Sequence, residues 1–352
     1  MSRFLSERLQ SLEAYTPGEQ PRVTSLIKLN TNESPFPPAP GVKEAVAAAA
    51  EKLQLYNDLS ASRLVSLLSE TYGVKKSQLI VSNGSDEILA FAFQAFGGNG
   101  LMFPDITYGF YSVWAELFGL NWQTVPLEAD FSVNITPYLG CGKCVVLANP
   151  NAPTGKALGR NDLKEIAKSN PDSVVIVDEA YADFAGRPEV SALGLAPEWE
   201  NVLVVRTFSK SRQLAGARLG YAIGNEKLIE DLNRVRFSFH PYNVKSLTQA
   251  AGAATLEDPA YFEACRKAII ETRAWTRARL LEMGFAVVDS EANFLFVSAP
   301  NMTGAEYQQK LRERNILIRY FDQPRIRNFV RITIGSREQM EKLIEATKEI
   351  LA

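Results

Sequence analysis

Apolar residues along the chain fall into short runs that alternate with longer stretches of helical spacing. The runs Val174–Val177 and Val202–Val205 are apolar at consecutive positions, which is typical of strands buried on both faces of a sheet. The stretches 42–54, 62–72 and 86–96 have helical spacing instead. Strands that alternate with helices predict an α/β fold in three layers, with a mostly parallel sheet between two layers of helices.

The pattern changes near residue 240. A long helical stretch over about 245–283 precedes several short apolar runs and two more helices, which predicts a smaller α+β domain. The Pro-rich segment 34–40 separates an N-terminal arm from the main body. We therefore predict three parts: an arm over 1–40 that packs with the small domain, a large cofactor-binding domain over 41–240 and a small domain over 241–352.

Composition and charge exclude several classes of protein. Among the 352 residues, 38 are Lys or Arg and 40 are Asp or Glu, so no basic excess exists to bind nucleic acid. His240 is the only histidine, which excludes His-rich metal sites, and we predict no metal centre. No apolar run approaches the ~20 residues of a membrane span, and the N-terminus lacks the apolar core of a signal peptide.

The three cysteines suit a reducing compartment, and we expect a cytoplasmic protein. Cys141 and Cys144 form a C-x-x-C pair, a spacing that also occurs in redox and zinc sites. No second pair exists and Cys144 opens an apolar run, so a structural role is favoured.

Polar residues concentrate at the carboxyl ends of the predicted strands, where open α/β sheets bind their ligands. Lys210 lies four residues past a buried strand, and the hydroxyls of Thr207 and Ser209 with the guanidinium of Arg218 form a cradle for an anion. The segment 84–86 opens a helix and adds backbone N–H donors. A lysine beside a phosphate cradle suggests a phosphorylated carbonyl compound held as a Schiff base, although a solvated loop lysine is the alternative.

Asp178 ends an apolar strand, so its carboxylate is predicted to be at least partly buried and to need a positive partner. A pyridinium nitrogen would supply one, and the carboxylate would keep that nitrogen protonated, which makes the ring an electron sink. The alternative is an ion pair with an Arg or Lys side chain. Tyr181, three residues on, can donate to a phenolate oxygen.

Seven segments of the chain, in this order, resemble motifs of the fold-type I pyridoxal-phosphate aminotransferases, and together they span nearly the whole chain. The segments are 29–35, 82–87, 104–111, 149–155, 178–181, 209–218 and 330–335. The resemblance implies pyridoxal 5'-phosphate as cofactor and ping-pong transfer of an amino group through a Schiff base on Lys210. It is greatest to the branch that uses histidinol phosphate and 2-oxoglutarate in histidine biosynthesis. Aromatic-amino-acid aminotransferases and threonine-phosphate decarboxylases share the motifs and stay open, whereas the intact Lys210 argues against a non-catalytic binding module.

The resemblance also implies a role for individual residues. Lys210, Asp178 and Tyr181 form the catalytic set, with Asp178 at the pyridine nitrogen and Tyr181 at the phenolic oxygen. Tyr108 stacks on the ring face. The remaining residues implied to contact the cofactor from the same subunit are Gly84, Ser85, Asp86, Asn151, Thr207, Ser209 and Arg218.

The substrate side and the subunit interface follow from the same resemblance. Arg331 and Arg319 are expected to bind the substrate's anionic groups, with Tyr15 and Asn32 beside them. Tyr56 matches a tyrosine that reaches the cofactor phosphate from the other subunit, so a homodimer with shared active sites is expected.

The chain departs from the family pattern at Ala152. Many relatives carry Asn at this position before Pro-Thr-Gly, where the amide bonds the phenolic oxygen of the cofactor. We expect the preceding residue, Asn151, to take over that bond. Tyr56 is followed by Asn57 and Asp58 rather than the commoner Pro, which is expected to reshape its loop.

Overall fold

The computed structural model describes residues 2–20 and 26–352, so residues 1 and 21–25 of the predicted arm lie outside the described residues. The helices are α1 (Val42–Ala50), α2 (Ser62–Tyr72), α3 (Ser85–Phe96), α4 (Phe110–Phe118), α5 (Arg160–Ser169), α6 (Glu226–Phe239), α7 (Ser246–Leu256), α8 (Pro259–Glu282), α9 (Gly304–Arg312) and α10 (Arg337–Leu351). The strands are β1 (Ile27–Leu29), β2 (Leu79–Ser82), β3 (Leu101–Pro104), β4 (Trp122–Val125), β5 (Cys144–Ala148), β6 (Val175–Asp178), β7 (Val202–Thr207), β8 (Gly220–Gly224), β9 (Ala286–Val288), β10 (Phe294–Ser298), β11 (Ile316–Tyr320) and β12 (Phe329–Thr333).

The larger sheet has the strand order β2-β8-β7-β6-β5-β3-β4. Its pairings are parallel from β7 to β4, and β8 runs antiparallel to both β2 and β7. Successive residues of a strand point to opposite faces, and each face carries its own apolar layer. Val175 and Val177 pack with residues of α2, α5 and α7, whereas Ile176 packs with residues of α3, α4 and α6. The predicted three-layer α/β fold is therefore confirmed.

The smaller sheet has the order β1-β11-β12-β10-β9, and residues of α8, α9 and α10 cover it. The predictions above contain no strand at β1, yet this segment pairs in parallel with β11, Ile27 opposite Ile316. Residues 27–29 thus join the smaller sheet, far along the chain from the other strands that form it. β11 and β12 run antiparallel and place Arg319 directly opposite Arg331.

The helical stretch predicted over 245–283 is two helices. Asp258 caps α8 by accepting a hydrogen bond from the N–H of Tyr261, and Pro259 occupies the first turn, where it has no N–H to bond back to α7. No helix within residues 2–20 and 26–352 combines the length and apolarity needed to cross a membrane.

Candidate active site

A cavity of about 150 Å³ opens at the carboxyl ends of β6 and β7. The amino end of α3 and the loop that leads from β7 to β8 complete its wall. The residues that line it are Ser85, Asp86, Tyr108, Ala148, Ala152, Asp178, Ala180, Tyr181, Thr207, Ser209, Lys210 and Arg218. Nine of the residues singled out from the sequence therefore meet in one cavity.

Lys210 lies three residues past the end of β7, and its Nζ donates a hydrogen bond to the backbone oxygen of Thr31 at 3.2 Å. The ammonium also lies 5.9 Å from the centre of the Tyr181 ring. Burial, with the nearby Arg331 cation, lowers the pKa of Lys210 to about 8. A substantial fraction of the amine is therefore neutral near pH 8, as a nucleophile and proton acceptor requires.

Asp178 is 5% exposed at the end of β6. One oxygen of its carboxylate accepts a hydrogen bond from the Tyr111 hydroxyl at 2.9 Å, and the other accepts from the N–H of Ala180 at 3.2 Å. Within the described ranges, no Lys or Arg forms an ion pair with it, so the alternative of a protein cation as partner is wrong. Burial raises the pKa of Asp178 to about 6 because no neighbouring positive charge offsets the desolvation.

Tyr181 lines the cavity and packs against the apolar core of the smaller sheet. Its hydroxyl accepts a hydrogen bond from Nδ2 of Asn32 at 2.9 Å, and its ring packs edge-on against Phe294 at 5.1 Å. Burial raises the pKa of Tyr181, so the phenol stays protonated and can donate into the cavity.

An anion cup forms one end of the cavity, where α3 begins. Gly84 has a φ of +86°, a conformation that residues with a side chain rarely adopt, and a Cβ atom there would also force Arg218 to move, because it would lie 2.7 Å from Nη2. The Thr207 hydroxyl donates to Ser209 at 3.0 Å, and Arg218 lies 3.5 Å from the same Ser209 oxygen. With the first-turn N–H groups of α3, the cup offers charged and neutral donors to one anion.

Asp86 contributes its side chain differently from the other residues of the cup. Its carboxylate accepts hydrogen bonds from Arg218 at 2.7 Å and from the Tyr108 hydroxyl at 3.0 Å. The carboxylate thereby fixes a guanidinium beside the cup and an aromatic ring along the cavity wall.

Three of the predicted cofactor contacts do not line this cavity. Gly84 lies against Arg218 of the anion cup, whereas Asn151 and Tyr56 are engaged elsewhere. The Asn151 amide donates to the backbone oxygen of Ile106 and to Thr154, and its oxygen accepts from Thr107. The side chain is fully engaged outside the lining, so it does not replace the amide that Ala152 lacks. Tyr56 is 83% exposed and stacks on Tyr242 at 4.4 Å, away from the cavity of its own chain.

A second cavity of about 280 Å³ adjoins the first and shares Tyr108, Ala152, Tyr181 and Lys210 with it. All four predicted substrate residues line it: Tyr15, Asn32, Arg319 and Arg331. Tyr15 stacks on Phe110 at 4.0 Å, which places the N-terminal arm over this cavity.

The two arginines of the second cavity have no carboxylate partner within residues 2–20 and 26–352. Arg319 donates to the backbone oxygens of Thr16 and Pro17, and Arg331 donates to that of Asn30. The Nε of Arg331 is buried without an acceptor in the described structure. Two unneutralised cations opposite each other on adjacent strands are unfavourable unless an anion binds between them.

The family model described as aminotransferase class I and II matches residues 24–346 of the chain. The chain belongs to the class I and II aminotransferase family. A buried lysine of lowered pKa beside an anion cup is consistent with the chemistry of this family.

Proteins of known name resemble this aminotransferase over nearly its whole length. A histidinol-phosphate aminotransferase from Chromohalobacter salexigens is 47% identical over 353 residues, which are 99% of each chain. One from Brachyspira hyodysenteriae is 45% identical over 354 residues, 100% of this chain and 99% of its own. The crystal structure of histidinol-phosphate aminotransferase from Sinorhizobium meliloti with pyridoxal-5'-phosphate has a TM-score of 0.88 and 23% identity, covering 100% of this chain and 98% of that one.

Several residues of the aminotransferase site are absent from the sequence-based predictions. Tyr111 reaches Asp178 from the first turn of α4, and Asn30, Thr31, Phe321 and Gln323 line the second cavity. Tyr111 follows Tyr108 by three residues in the motif over 104–111, so helical spacing on α4 was the one available signal for it.

Proposed function

We propose that this aminotransferase uses pyridoxal 5'-phosphate to transfer the amino group of histidinol phosphate to 2-oxoglutarate, in histidine biosynthesis. The assignment of the cofactor rests on one observation: Lys210 and the unneutralised Asp178 line the same cavity, which ends in an anion cup. The substrate is supported by the paired arginines of the second cavity and by relatives named histidinol-phosphate aminotransferase.

The residues present fit this cofactor. Asp178 is a buried carboxylate without a cation, and a protonated pyridine nitrogen is the positive partner that it lacks. Ser85, Thr207, Ser209 and Arg218 would hold the phosphate group, while Tyr108 would face the ring and Tyr181 the phenolic oxygen. When bound, pyridoxal phosphate supplies an aldehyde that condenses with amines and a ring that accepts electrons from the substrate Cα.

Lys210 has two tasks in the proposed reaction. Its Nζ would hold the cofactor aldehyde between turnovers, and in its free, neutral form it would remove the proton from the substrate Cα. Desolvation disfavours the ammonium in this cavity, so about half of the free amine is neutral near pH 8 and able to accept a proton. The negative charge of Asp178 would meanwhile keep the pyridine nitrogen of the cofactor protonated.

Arg319 and Arg331 would bind the phosphate of histidinol phosphate in one half-reaction and a carboxylate of glutamate in the other. The planar guanidinium forms bidentate hydrogen bonds with either anion, so the same pair serves both substrates. Tyr15, stacked on Phe110, gives the imidazole ring of the donor an aromatic wall.

Histidinol phosphate is expected to exceed histidinol in kcat/KM by at least about tenfold, because a charge-assisted hydrogen bond contributes about 1.5–3 kcal/mol. Arg319→Ala should remove most of that preference. Arg314→Ala is the matched control, since Arg314 pairs with Glu349 outside both cavities. Steady-state kinetics with both amines measure the ratio; equal efficiency for the two, or a preference for phenylalanine, would contradict the phosphate assignment and favour an aromatic-amino-acid aminotransferase.

We also propose that the active unit is a homodimer with shared sites. Five large side chains are exposed on the surface of the single chain: Leu53, Leu55, Tyr56, Phe237 and Phe239. The contacts of Tyr56 with Tyr242, and of the Leu59 backbone oxygen with Arg236, join the two segments into one surface. A surface of this kind is typical of a subunit interface, and two-fold dimers are the commonest arrangement.

Mixing two damaged variants tests whether sites are shared. Lys210→Ala is expected to be inactive and Tyr56→Phe weakened by about tenfold through loss of a phosphate contact. Random exchange between equal amounts would restore about a quarter of the wild-type sites, because each heterodimer then has one undamaged site. Activity should therefore rise above that of either parent; no gain after demonstrated subunit exchange would assign Tyr56 to its own subunit or to no site.

A cytoplasmic location is part of this proposal. Cys141, Cys144 and Cys265 are all free thiols, and burial raises the pKa of Cys144 to about 12, which suits a reducing compartment.

A further inference from the structure

The carboxylate of Asp178 is held by two neutral donors, the Tyr111 hydroxyl at 2.9 Å and the Ala180 N–H at 3.2 Å. Neither donor carries a positive charge. The hydrogen bonds therefore fix the direction of the carboxylate without neutralising it, and they leave its charge available to a ligand in the cavity.

Tyr111 is itself rigidly placed. It is fully buried in the first turn of α4, with its ring edge-on to Phe103 at 5.7 Å and to Tyr108 at 5.6 Å. In the described part of the chain its hydroxyl donates to Asp178 alone. Burial, followed by the Asp178 charge, raises the pKa of Tyr111 well above its ordinary value, so the phenol remains a donor at every pH at which the enzyme works.

We propose that Tyr111 is a positioning residue of the active site, whose phenol keeps the Asp178 carboxylate ionised and aimed at the ring nitrogen of the cofactor. This inference rests on the proposed function, because that function gives Asp178 a pyridine nitrogen to hold. A guanidinium in place of the phenol would also keep Asp178 ionised, but it would neutralise the charge on which the pyridinium depends.

Opposing effects at Asp178 make the phenol necessary. Burial raises the pKa of Asp178 to about 6, and the hydrogen bonds from Tyr111 and Ala180 act to lower it. The negative charges of Asp86 and Glu179 add smaller effects in the same direction as burial. Without Tyr111 the carboxyl group would take up its proton closer to neutral pH. A protonated Asp178 cannot stabilise a pyridinium, so cofactor affinity would be lost at a higher pH.

Tyr111→Phe tests this with Tyr138→Phe as the matched control. Tyr138 is also fully buried, but its hydroxyl has no partner in the described structure, so its removal costs no hydrogen bond. The measurement is the dissociation constant of pyridoxal phosphate from each protein, followed by absorbance between about pH 5 and 9. In the wild type and in Tyr138→Phe, the neutral fraction of Lys210 declines below about pH 8, and affinity should show a second fall as the pH drops through the Asp178 pKa of about 6.

Tyr111→Phe is expected to raise the midpoint of that fall by about one pH unit and to weaken binding near pH 7 by at least about tenfold. A midpoint equal to that of Tyr138→Phe would overturn the proposal. Should Tyr111→Phe not fold, 3,5-difluorotyrosine at position 111 keeps the ring and strengthens the donor. The midpoint should then fall, and an unchanged or higher midpoint would overturn the proposal.

The experiments distinguish a failure of the role proposed for Tyr111 from a failure of the proposed function. If the cofactor chemistry itself is wrong, the wild-type protein will not attach pyridoxal phosphate to Lys210. If only the role of Tyr111 is wrong, that attachment remains and the three pH profiles coincide.

Discussion

Replacing Lys210 with alanine is expected to lower kcat by at least about a thousandfold, because it removes both the attachment point of the cofactor and the base at the substrate Cα. Both tasks need the neutral amine. With a pKa of about 8 for Lys210, the neutral fraction of the amine rises from about a tenth at pH 7 to about half at pH 8 and about nine tenths at pH 9. The rate at which the apoenzyme captures pyridoxal phosphate should follow that profile.

Single-turnover kinetics with histidinol phosphate measure the loss, because they separate the proton transfer from product release. Lys156→Ala is the control: Lys156 follows the same Pro-Thr-Gly turn that lines the site, but its ammonium pairs with Asp130. A Lys210→Ala enzyme that retained more than about a tenth of wild-type turnover would show that another group acts as the base.

Asp178→Asn is expected to reduce kcat/KM by about a hundredfold to a thousandfold. Two unit charges about 4 Å apart interact by about 4 kcal/mol at an effective dielectric constant of 20, which is the stabilisation that the neutral amide would forfeit. The amide is nearly isosteric, and its oxygen still accepts the Tyr111 hydrogen bond, whereas its NH2 group cannot accept the weaker bond from the Ala180 N–H. The comparison therefore measures chiefly the loss of the Asp178 charge.

The same substitution should stabilise the apoenzyme. The folded-state pKa of Asp178, about 6, lies above the ordinary value of 3.8, so the wild-type carboxyl favours folding only while it is protonated. That contribution is present below about pH 4 and is lost as the pH rises through about 6. Above pH 6, Asp178→Asn should raise the free energy of unfolding of the apoenzyme by up to about 3 kcal/mol, measured by urea denaturation. The difference between the variant and the wild type should be smaller at pH 5 than at pH 8, and an equal difference at the two pH values would contradict this.

The sequence was sufficient to predict the layers and the strand ends that form the site. Apolar runs such as Val202–Val205 have no polar face, so they can only be central strands between two layers of helices. Because parallel strands end at one edge, Asp178 and Lys210 were predicted to lie together, and they line one cavity.

Contacts that join distant segments could not be predicted in the same way. β1 has three residues and pairs with β11 across most of the chain, so no local pattern identifies it. The polar side chain of Asn151 suggested a cofactor contact, but its amide bonds Thr154 in its own turn and the backbone oxygen of Ile106 and the hydroxyl of Thr107 in the distant loop that follows β3. The sequence does not reveal that protein groups already occupy the hydrogen-bonding atoms that a ligand would need, because that depends on the three-dimensional structure.

Tyr111 and Arg319 illustrate the same limit at the site itself. Apart from its spacing from Tyr108, Tyr111 looks like a core aromatic residue in the sequence, because the bond to Asp178 depends on how α4 packs against β6. The contacts of Arg319 with the oxygens of Thr16 and Pro17 likewise require the arm to fold back over β11.

Borohydride reduction of the enzyme loaded with pyridoxal phosphate, followed by peptide mapping, tests the central claim most directly. The reduction fixes the cofactor to whichever lysine carries it. We predict one pyridoxyl group per chain, on Lys210. Label on Lys143 or Lys156 instead, or no stable label on any lysine, would contradict the assignment of this cavity as the cofactor site.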